Sequence, residues 1–470
     1  MATLTPLVRL LPLLSLLLLI GCAKPLVIVP DNVGERGLLV AQVASQSMPE
    51  VLRGDPVIKH PDGEHRTHIG GIRGDTLIVP LHPGEYELSY LQQMTGSSSI
   101  PTAVGTMHQT SYRNYPVHRR FTIESGRATN LGMLIIEDAG FRRVLVRQAN
   151  NQNEIERFLQ DRYPATYASL RAEPRIVDAP GQRLDQPELA ALRRHIADQR
   201  ARDAAWDLEE GATRLIAGPA GTLAHVRRGA DGVSVEQLVE APTVTDLSGC
   251  SGTARRLACV SGPHHYLLVE GDRAQERNAP AGVVINSAHA FGERGVVLAD
   301  DNMRLHLSRD GGRSWSVVEE AVRAKPFDRS RYRGIALNHV VFTNGSRGFY
   351  AFESGGGSNT GLVHVSFDGG TPKSIPLPRS LSRLRNLVET PSGVYLTPAY
   401  TEMAKGKVHF LPREDAEWQV YDLPVAGCRD MRVAAAAPRI MDVSCRSGYY
   451  RSEDGGRHWA PLFQAQSLFR

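Results

Sequence analysis

From Gly37 to Glu137, polar and apolar positions alternate over short stretches separated by Gly and Pro turns. Leu38-Leu39-Val40-Ala41-Gln42-Val43 reads as one strand and Asp75 to Leu81 as another. After His82-Pro83-Gly84, the run Glu85-Tyr86-Glu87-Leu88-Ser89-Tyr90 alternates with the period of two that marks a half-buried strand. Phe121 to Glu124 meets the turn Ser125-Gly126-Arg127, and Thr129 to Ile136 returns. Short strands joined by such turns predict a small antiparallel β-sandwich over 36–145. Between 146 and 210 the period changes. Asn153 to Arg171 and Asp185 to Glu209 are rich in Ala, Leu, Arg, Glu and Gln, and Leu189, Leu192 and Ile196 recur at helical spacing. Asp185 can cap that second helix, with Pro187 in its first turn. Arg175 to Gly181 reads as a connector, so 146–210 is expected to be a short helical linker whose arginines 193, 194, 200 and 202 face solvent.

Residues 211–470 return to strands and contain repeats. Ser308-Arg309-Asp310-Gly311-Gly312-Arg313-Ser314-Trp315 recurs 144 residues later as Ser452-Glu453-Asp454-Gly455-Gly456-Arg457-His458-Trp459. Asp-Gly-Gly makes a hairpin turn, because Asp accepts backbone N–H bonds and Gly takes φ > 0. The Trp returns from the turn to pack on a neighbouring sheet. Weaker copies lie at Ser366-Phe367-Asp368-Gly369-Gly370, Arg413 to Trp418, Glu270 to Arg273 and Gly229 to Gly232. Turn aspartates at 231, 272, 310, 368, 415 and 454 are spaced by 41, 38, 58, 47 and 39 residues, each close to one four-stranded sheet. The longest interval holds an insertion, Phe352 to Thr360, that could overhang one face. The first unit looks one strand short, and Gln464 to Arg470 could complete it. The predicted fold class is mainly β: an N-terminal sandwich, a helical linker and a C-terminal β-propeller of about six blades over 211–470.

The two octapeptides resemble the Asp-box, S-x-D-x-G-x-[ST]-W, of BNR/sialidase-type propeller repeats, with His458 departing in the second copy. In sialidases these boxes lie on the rim, away from the catalytic pocket. The resemblance therefore implies structural roles for Ser308, Asp310, Gly312, Trp315, Ser452, Asp454, Gly456 and Trp459. Sialidase-like hydrolysis needs an arginine triad, a Tyr–Glu nucleophile pair and an acid/base Asp. The family's Arg-Ile-Pro signature is absent, since Pro174-Arg175-Ile176 precedes the repeats. Arg331, Tyr332, Arg333, Glu353, Tyr395, Tyr400 and Glu402 supply the residue types without a pattern that joins them. Asp-box propellers without catalytic residues also occur in photosystem-assembly-factor-like and sortilin-like proteins, which bind polypeptides. A non-catalytic binding or assembly scaffold without a cofactor is the expectation; a sialidase-like glycoside hydrolase or a glycan-binding protein is the alternative. Leu81 to Leu88 looks like the PGxY turn of carboxypeptidase-regulatory and PEGA-type surface modules, which are usually spacers.

Leu10 to Ile20 is an apolar run broken only by Pro12 and Ser15, too short to span a bilayer but suited to a signal peptide. It ends in Leu19-Ile20-Gly21-Cys22, which resembles the lipobox of bacterial lipoproteins. The resemblance implies removal of 1–21 and lipidation of Cys22, with 22–35 as a tether. Ala23 and Lys24 follow, and without Asp after the cysteine the family's sorting rule implies the outer membrane, facing the periplasm or the cell surface. A plain secretory leader is the competing reading.

Setting Cys22 aside leaves Cys250, Cys259, Cys428 and Cys445, an even number that suits an oxidising compartment. Of three connectivities, 250–259 and 428–445 are preferred because each pair flanks one predicted hairpin. Their spacing does not match a zinc knuckle. His60, His65 and His68 surround Pro61-Asp62-Gly63 and read as a solvated hairpin loop rather than a metal site; His118-Arg119-Arg120 reads as a charged strand edge. With 41% apolar and 22% charged residues, the 470-residue chain has ample core for two or three domains. A net charge of +4 is too mild to argue for a nucleic-acid partner. The partners expected are the membrane, through the lipid, and an envelope protein or glycan.

Overall fold

The computed structural model describes residues 29–45, 56–60, 63–66, 76–102, 105–138, 144–204, 208, 210–318, 322, 340–353, 361–378, 381, 384–398, 405–412, 417–434, 437–445 and 447–464. Cys22, His68, the loop 354–360, Asp415, Arg331, Tyr332, Arg333, Tyr400 and Glu402 lie outside them, and the side chain of His65 is likewise not described.

Two sheets form the N-terminal part. Gly37–Ser45 sits at the centre of the first, antiparallel to Thr76–Leu81 and parallel to Ala128–Asp138. Val144–Ala149 pairs with Ala128–Asp138 antiparallel and Ile176–Asp178 pairs with it in parallel. The second sheet holds Gly63–Arg66, Pro56–His60, Gly84–Thr102 and Gly105–Ile123 in that order. One core joins the sheets, with Leu39, Leu77 and Leu134 meeting Ile58, Tyr86, Leu88, Phe121 and Ile123. Gly84–Thr102 and Gly105–Ile123 make a hairpin with 19 residues in each arm. The alternation at Glu85–Tyr90 marks only its base.

Three α-helices follow among the described residues. The stretch expected as one helix is two, α1 (Gln152–Arg162) and α2 (Pro164–Ser169), because Pro164 has no N–H to continue the first and sits at the start of the second. Ile155 and Leu159 of α1 cover Leu38, Val40 and Ile78, the other face of the first sheet. Helix α3 (Gln186–Ala204) begins with a capping box. Glu188 N–H donates to Asp185 Oδ1 at 2.8 Å, and Asp185 N–H donates back to Glu188 Oε2 at 3.0 Å. Leu189, Leu192 and Ile196 pack on Met133, Ile135 and Ala149. Ala197 and Ala201, a residue or more further round, pack on Ile216, Ala224, Val226 and Val235.

The region expected as a linker is therefore built into both halves: Ile176–Asp178 is a strand of the N-terminal sheet, and α3 is wedged between two cores. The arginines expected in solvent are also partly engaged. Arg193 donates to Ala220 O at 2.8 Å and Thr243 O at 2.9 Å, and Arg194 donates to Val235 O at 3.0 Å. Arg202 is exposed.

Six antiparallel sheets follow among the described residues. The first has three strands, Thr213–Gly218, Thr222–Gly229 and Gly232–Leu238. The second runs Ser248–Gly252, Arg256–Gly262, His265–Glu270 and Arg273–Asn278; the third Ile285–Phe291, Gly295–Asp300, Leu305–Ser308 and Ser316–Val317. The fourth runs Val340–Asn344, Gly348–Glu353, Leu362–Ser366 and Lys373–Ile375; the fifth Leu384–Thr390, Gly393–Pro398, Lys405–Leu411 and Gln419–Ala426. The sixth is Cys428–Ala434, Ala437–Cys445, Gly448–Ser452 and Ala460–Gln464.

Each sheet is a meander, and the first strands of successive sheets lie side by side. This is the arrangement of a β-propeller. Apolar cores fill the spaces between the first and second sheets, and so on to the fifth and sixth. Among the described residues no such core joins the sixth sheet to the first. The face of the first sheet that would receive it carries α3 instead. Ala460–Gln464 completes the sixth sheet, and the first keeps three strands.

Candidate functional site

The two strongest sequence repeats fold into nearly the same turn. Asp310 Oδ1 accepts the N–H groups of Arg313 and Ser314, each at 3.0 Å, and the Ser308 hydroxyl at 2.8 Å. Its Oδ2 accepts the Ser314 hydroxyl at 2.6 Å, while Ser308 Oγ accepts Gly312 N–H at 2.7 Å. In the second copy Asp454 Oδ1 accepts Arg457 N–H at 3.0 Å, His458 N–H at 2.9 Å and the Ser452 hydroxyl at 2.9 Å. His458 Nδ1 takes the place of the Ser314 hydroxyl at Asp454 Oδ2, 2.6 Å away. The departure in sequence thus preserves the bond. Gly312 and Gly456 have φ of 89° and 91°, and a methyl at 312 would collide with the Tyr266 hydroxyl, so both turns need glycine there.

These carboxylates are pinned as anions. Hydrogen bonds from the Ser314 side chain, then its backbone and Ser308, hold Asp310 far below the usual carboxylate range. At Asp454 desolvation pushes upward, but the His458 backbone and side chain and Ser452 outweigh it, and the carboxyl is also far below its usual value. In each turn both carboxylate oxygens are taken up by donors of the turn itself, an arrangement that fixes the backbone. The tryptophans then reach the preceding sheet. Trp315 donates to Gly312 O at 3.1 Å and meets Tyr266 of the second sheet edge-on at 6.0 Å. Trp418 donates to Pro376 O beside the fourth sheet, and Trp459 to Asp422 O of the fifth.

Cys250 is bonded to Cys259 and Cys428 to Cys445, each across neighbouring antiparallel strands. The second pair sits directly opposite in register. Near the axis the first strands of the second, third and fourth sheets meet. Ser251 Oγ donates to Phe342 O, Asn344 Nδ2 donates to Gly252 O at 2.7 Å, and His289 Nδ1 lies 2.9 Å from Ser251 Oγ. The His289 ring is enclosed by Phe291, Phe342 and Phe349. Burial pushes its pKa down to about 3, against a weaker upward pull from Asn344, so it stays neutral. This part of the axis is filled with side chains. Glu353 and Tyr395 are buried in the fourth and fifth sheets, and desolvation raises the Tyr395 pKa.

The outer face of the sixth sheet is different. Met431, Met441, Val443 and Tyr450 point toward the fifth sheet. On the opposite face Arg451 holds Asp442 through two bonds of 2.7 and 3.0 Å, and next to that pair Tyr449 stands opposite Phe463 in register. Tyr449 is 42% exposed, Leu462 53% and Phe463 61%. Sequence reasoning missed this strip: Pro461-Leu462-Phe463 is a short apolar run like many others, and its exposure depends on which segments pack over the sheet.

No family model matches the chain, and no curated protein matches it. Solved structures that resemble it include YCF48 bound to D1 peptide, at 16% identity and TM-score 0.38, over 54% of this chain and 79% of that one. A GH74 xyloglucanase from Xanthomonas campestris matches at 18% identity and TM-score 0.38, over 54% of this chain and 44% of the enzyme. BamB from Moraxella catarrhalis matches at 13% identity and TM-score 0.34, over 55% and 76%. TM-scores below 0.5 leave these likenesses too loose to place the chain in any of those groups. They include both a peptide-bound protein and a xyloglucanase, and do not separate binding from catalysis.

Proposed function

We propose that this chain is a non-catalytic binding or assembly scaffold, tethered to the outer membrane by lipid on Cys22, that takes an extended polypeptide along its sixth sheet. The six sheets are the blades of a propeller, and α3 occupies the place where the ring would close. The two N-terminal sheets form a small sandwich that serves as spacer. The exposed strip of Tyr449, Leu462 and Phe463 carries the reading. Apolar side chains of this size are ordinarily covered, and burying one contributes about 1.5–3 kcal/mol. Leu462 and Phe463 lie on Ala460–Gln464, the outermost strand of its sheet, whose far edge pairs with no strand among the described residues and so could take an added strand. A lipid anchor would hold that strip near envelope partners at high effective concentration.

Fluorescence polarisation on the soluble fragment from Ala23 tests this with two probe panels, labelled extended apolar peptides and neutral oligosaccharides. Peptide binding that weakens at least tenfold in Leu462→Ser/Phe463→Ser is the expected result. Binding or cleavage of the oligosaccharides with no peptide binding would replace the scaffold with the glycosidase reading.

A further inference from the structure

Among the described residues the first sheet has three strands where the next five have four, and two observations identify the open place. In the second, third, fourth and sixth sheets the turn aspartate lies between the third strand and the fourth. Asp272 follows His265–Glu270, Asp310 follows Leu305–Ser308, Asp368 follows Leu362–Ser366 and Asp454 follows Gly448–Ser452. Asp231 lies between Thr222–Gly229 and Gly232–Leu238, which are therefore third and fourth, and Thr213–Gly218 is second. The direction of the turns agrees. In the second sheet the turn after the second strand, Pro263-His264, faces the N-terminal half, where His265 Nε2 meets Asp161 Oδ2 of α1 at 2.8 Å. The turn after Thr213–Gly218 faces the same half: Ala220 shares a core with Met133, Ile135 and Ala149, and Arg193 donates to its carbonyl. The open place is thus the innermost one, beside the axis. Gly218 O accepts Leu247 N–H at 3.3 Å, but residues 213–217 pair with no strand on that side among the described residues. Helix α3 lies on a face of this sheet, over Ile216, Ala224, Val226 and Val235.

We infer that the residues after Gln464 supply this strand: 465–470 runs along the inner edge of Thr213–Gly218 and ties the sixth sheet to the first. Chain order is the reason. In each of the five connections between successive sheets, the last strand of one leads to the first, innermost strand of the next. Ala460–Gln464 is the last strand of the sixth sheet, so the chain beyond it is due at an innermost place, and the first sheet has that place open. The length suffices. Gly427 alone links the fifth sheet to the sixth, and Ser248–Gly252 and Val340–Asn344 are innermost strands of five residues. Ala465 as the link and 466–470 as the strand match both. The sequence fits as well. Leu215 faces the core shared with the second sheet and Ile216 faces α3, so a strand beside them has an apolar surface on each side. Adjacent Leu468 and Phe469 give one side chain to each, because successive strand residues point to opposite faces. The added strand also pairs the N–H and C=O groups of an edge that would otherwise be open.

Hydrogen-exchange mass spectrometry on the soluble fragment from Ala23 tests the assignment in wild type and two variants. One variant ends at Gln464. The other, Leu468→Pro/Phe469→Pro, keeps the length and removes a backbone donor on each side of the strand. In both, the amides of Thr213–Gly218 are expected to exchange at least tenfold faster than in wild type, while those of Ile285–Phe291 in the third sheet keep the wild-type rate. Unchanged exchange in Thr213–Gly218, or exchange quickened as much in Ile285–Phe291 in both variants, would overturn it.

Discussion

At the scale of single residues, the turn aspartates were legible because Asp-Gly-Gly followed by Trp encodes its own hydrogen bonds. What sequence could not show was that His458 replaces Ser314 as donor, since that depends on ring orientation. The Asp310 carboxyl has a folded pKa below its unfolded value, so its stabilisation is complete at neutral pH and is lost as pH falls below about 4. Asp310→Ala should lower the melting temperature at pH 7, and thermal denaturation should show the gap from wild type narrowing below pH 4. His289 has the opposite consequence. Its folded pKa of about 3 lies below the ordinary 6.5, so the unfolded chain takes up a proton that the folded chain refuses. Between those values stability falls by about 1.4 kcal/mol per pH unit from this group. His409, pushed by burial to about 4, adds a second such loss. In His289→Gln the slope of denaturant-derived stability between pH 6 and 4.5 should fall by about half.

At the scale of elements, short strands with strict alternation and the heptad-like Leu189, Leu192 and Ile196 announced themselves. The outer arms of the long hairpin did not, because Gln92, Gln93 and Ser97 to Ser99 are polar and give no apolar period. The second face of α3 was hidden for another reason: Ala197 and Ala201 are weak hydrophobic signals, yet their small size lets the helix lie close on the first sheet. Enlarging one should force the helix away, and Ala201→Leu is expected to cost about 1–3 kcal/mol in urea denaturation. The local cysteine pairs were legible from hairpin spacing. By loop entropy each bridge contributes about 3 kcal/mol, so dithiothreitol should lower the melting temperature in a single large step that Cys428→Ser/Cys445→Ser reproduces in part.

At the scale of the whole molecule, α1 and α3 join the two halves. One face of α1 is apolar and sits in the N-terminal core; the other carries Glu154, Arg157 and Asp161, which reach Thr243, Glu276 and His265. The succession of four-stranded antiparallel sheets was visible in the spacing of the turn aspartates. The packing of α3 on the first sheet was not, because it is a contact between segments unrelated in pattern. On the sixth sheet Tyr449, Leu462 and Phe463 stay exposed beside the Arg451–Asp442 pair, and polypeptide binding there is the function proposed. Photo-crosslinking in intact cells from benzoylphenylalanine at position 463, with position 317 as control, tests it most directly, since Val317 is nearly as exposed on another sheet. A discrete, protease-sensitive adduct from 463 alone is the result expected. Equal adducts from both positions, or none from 463, would contradict it.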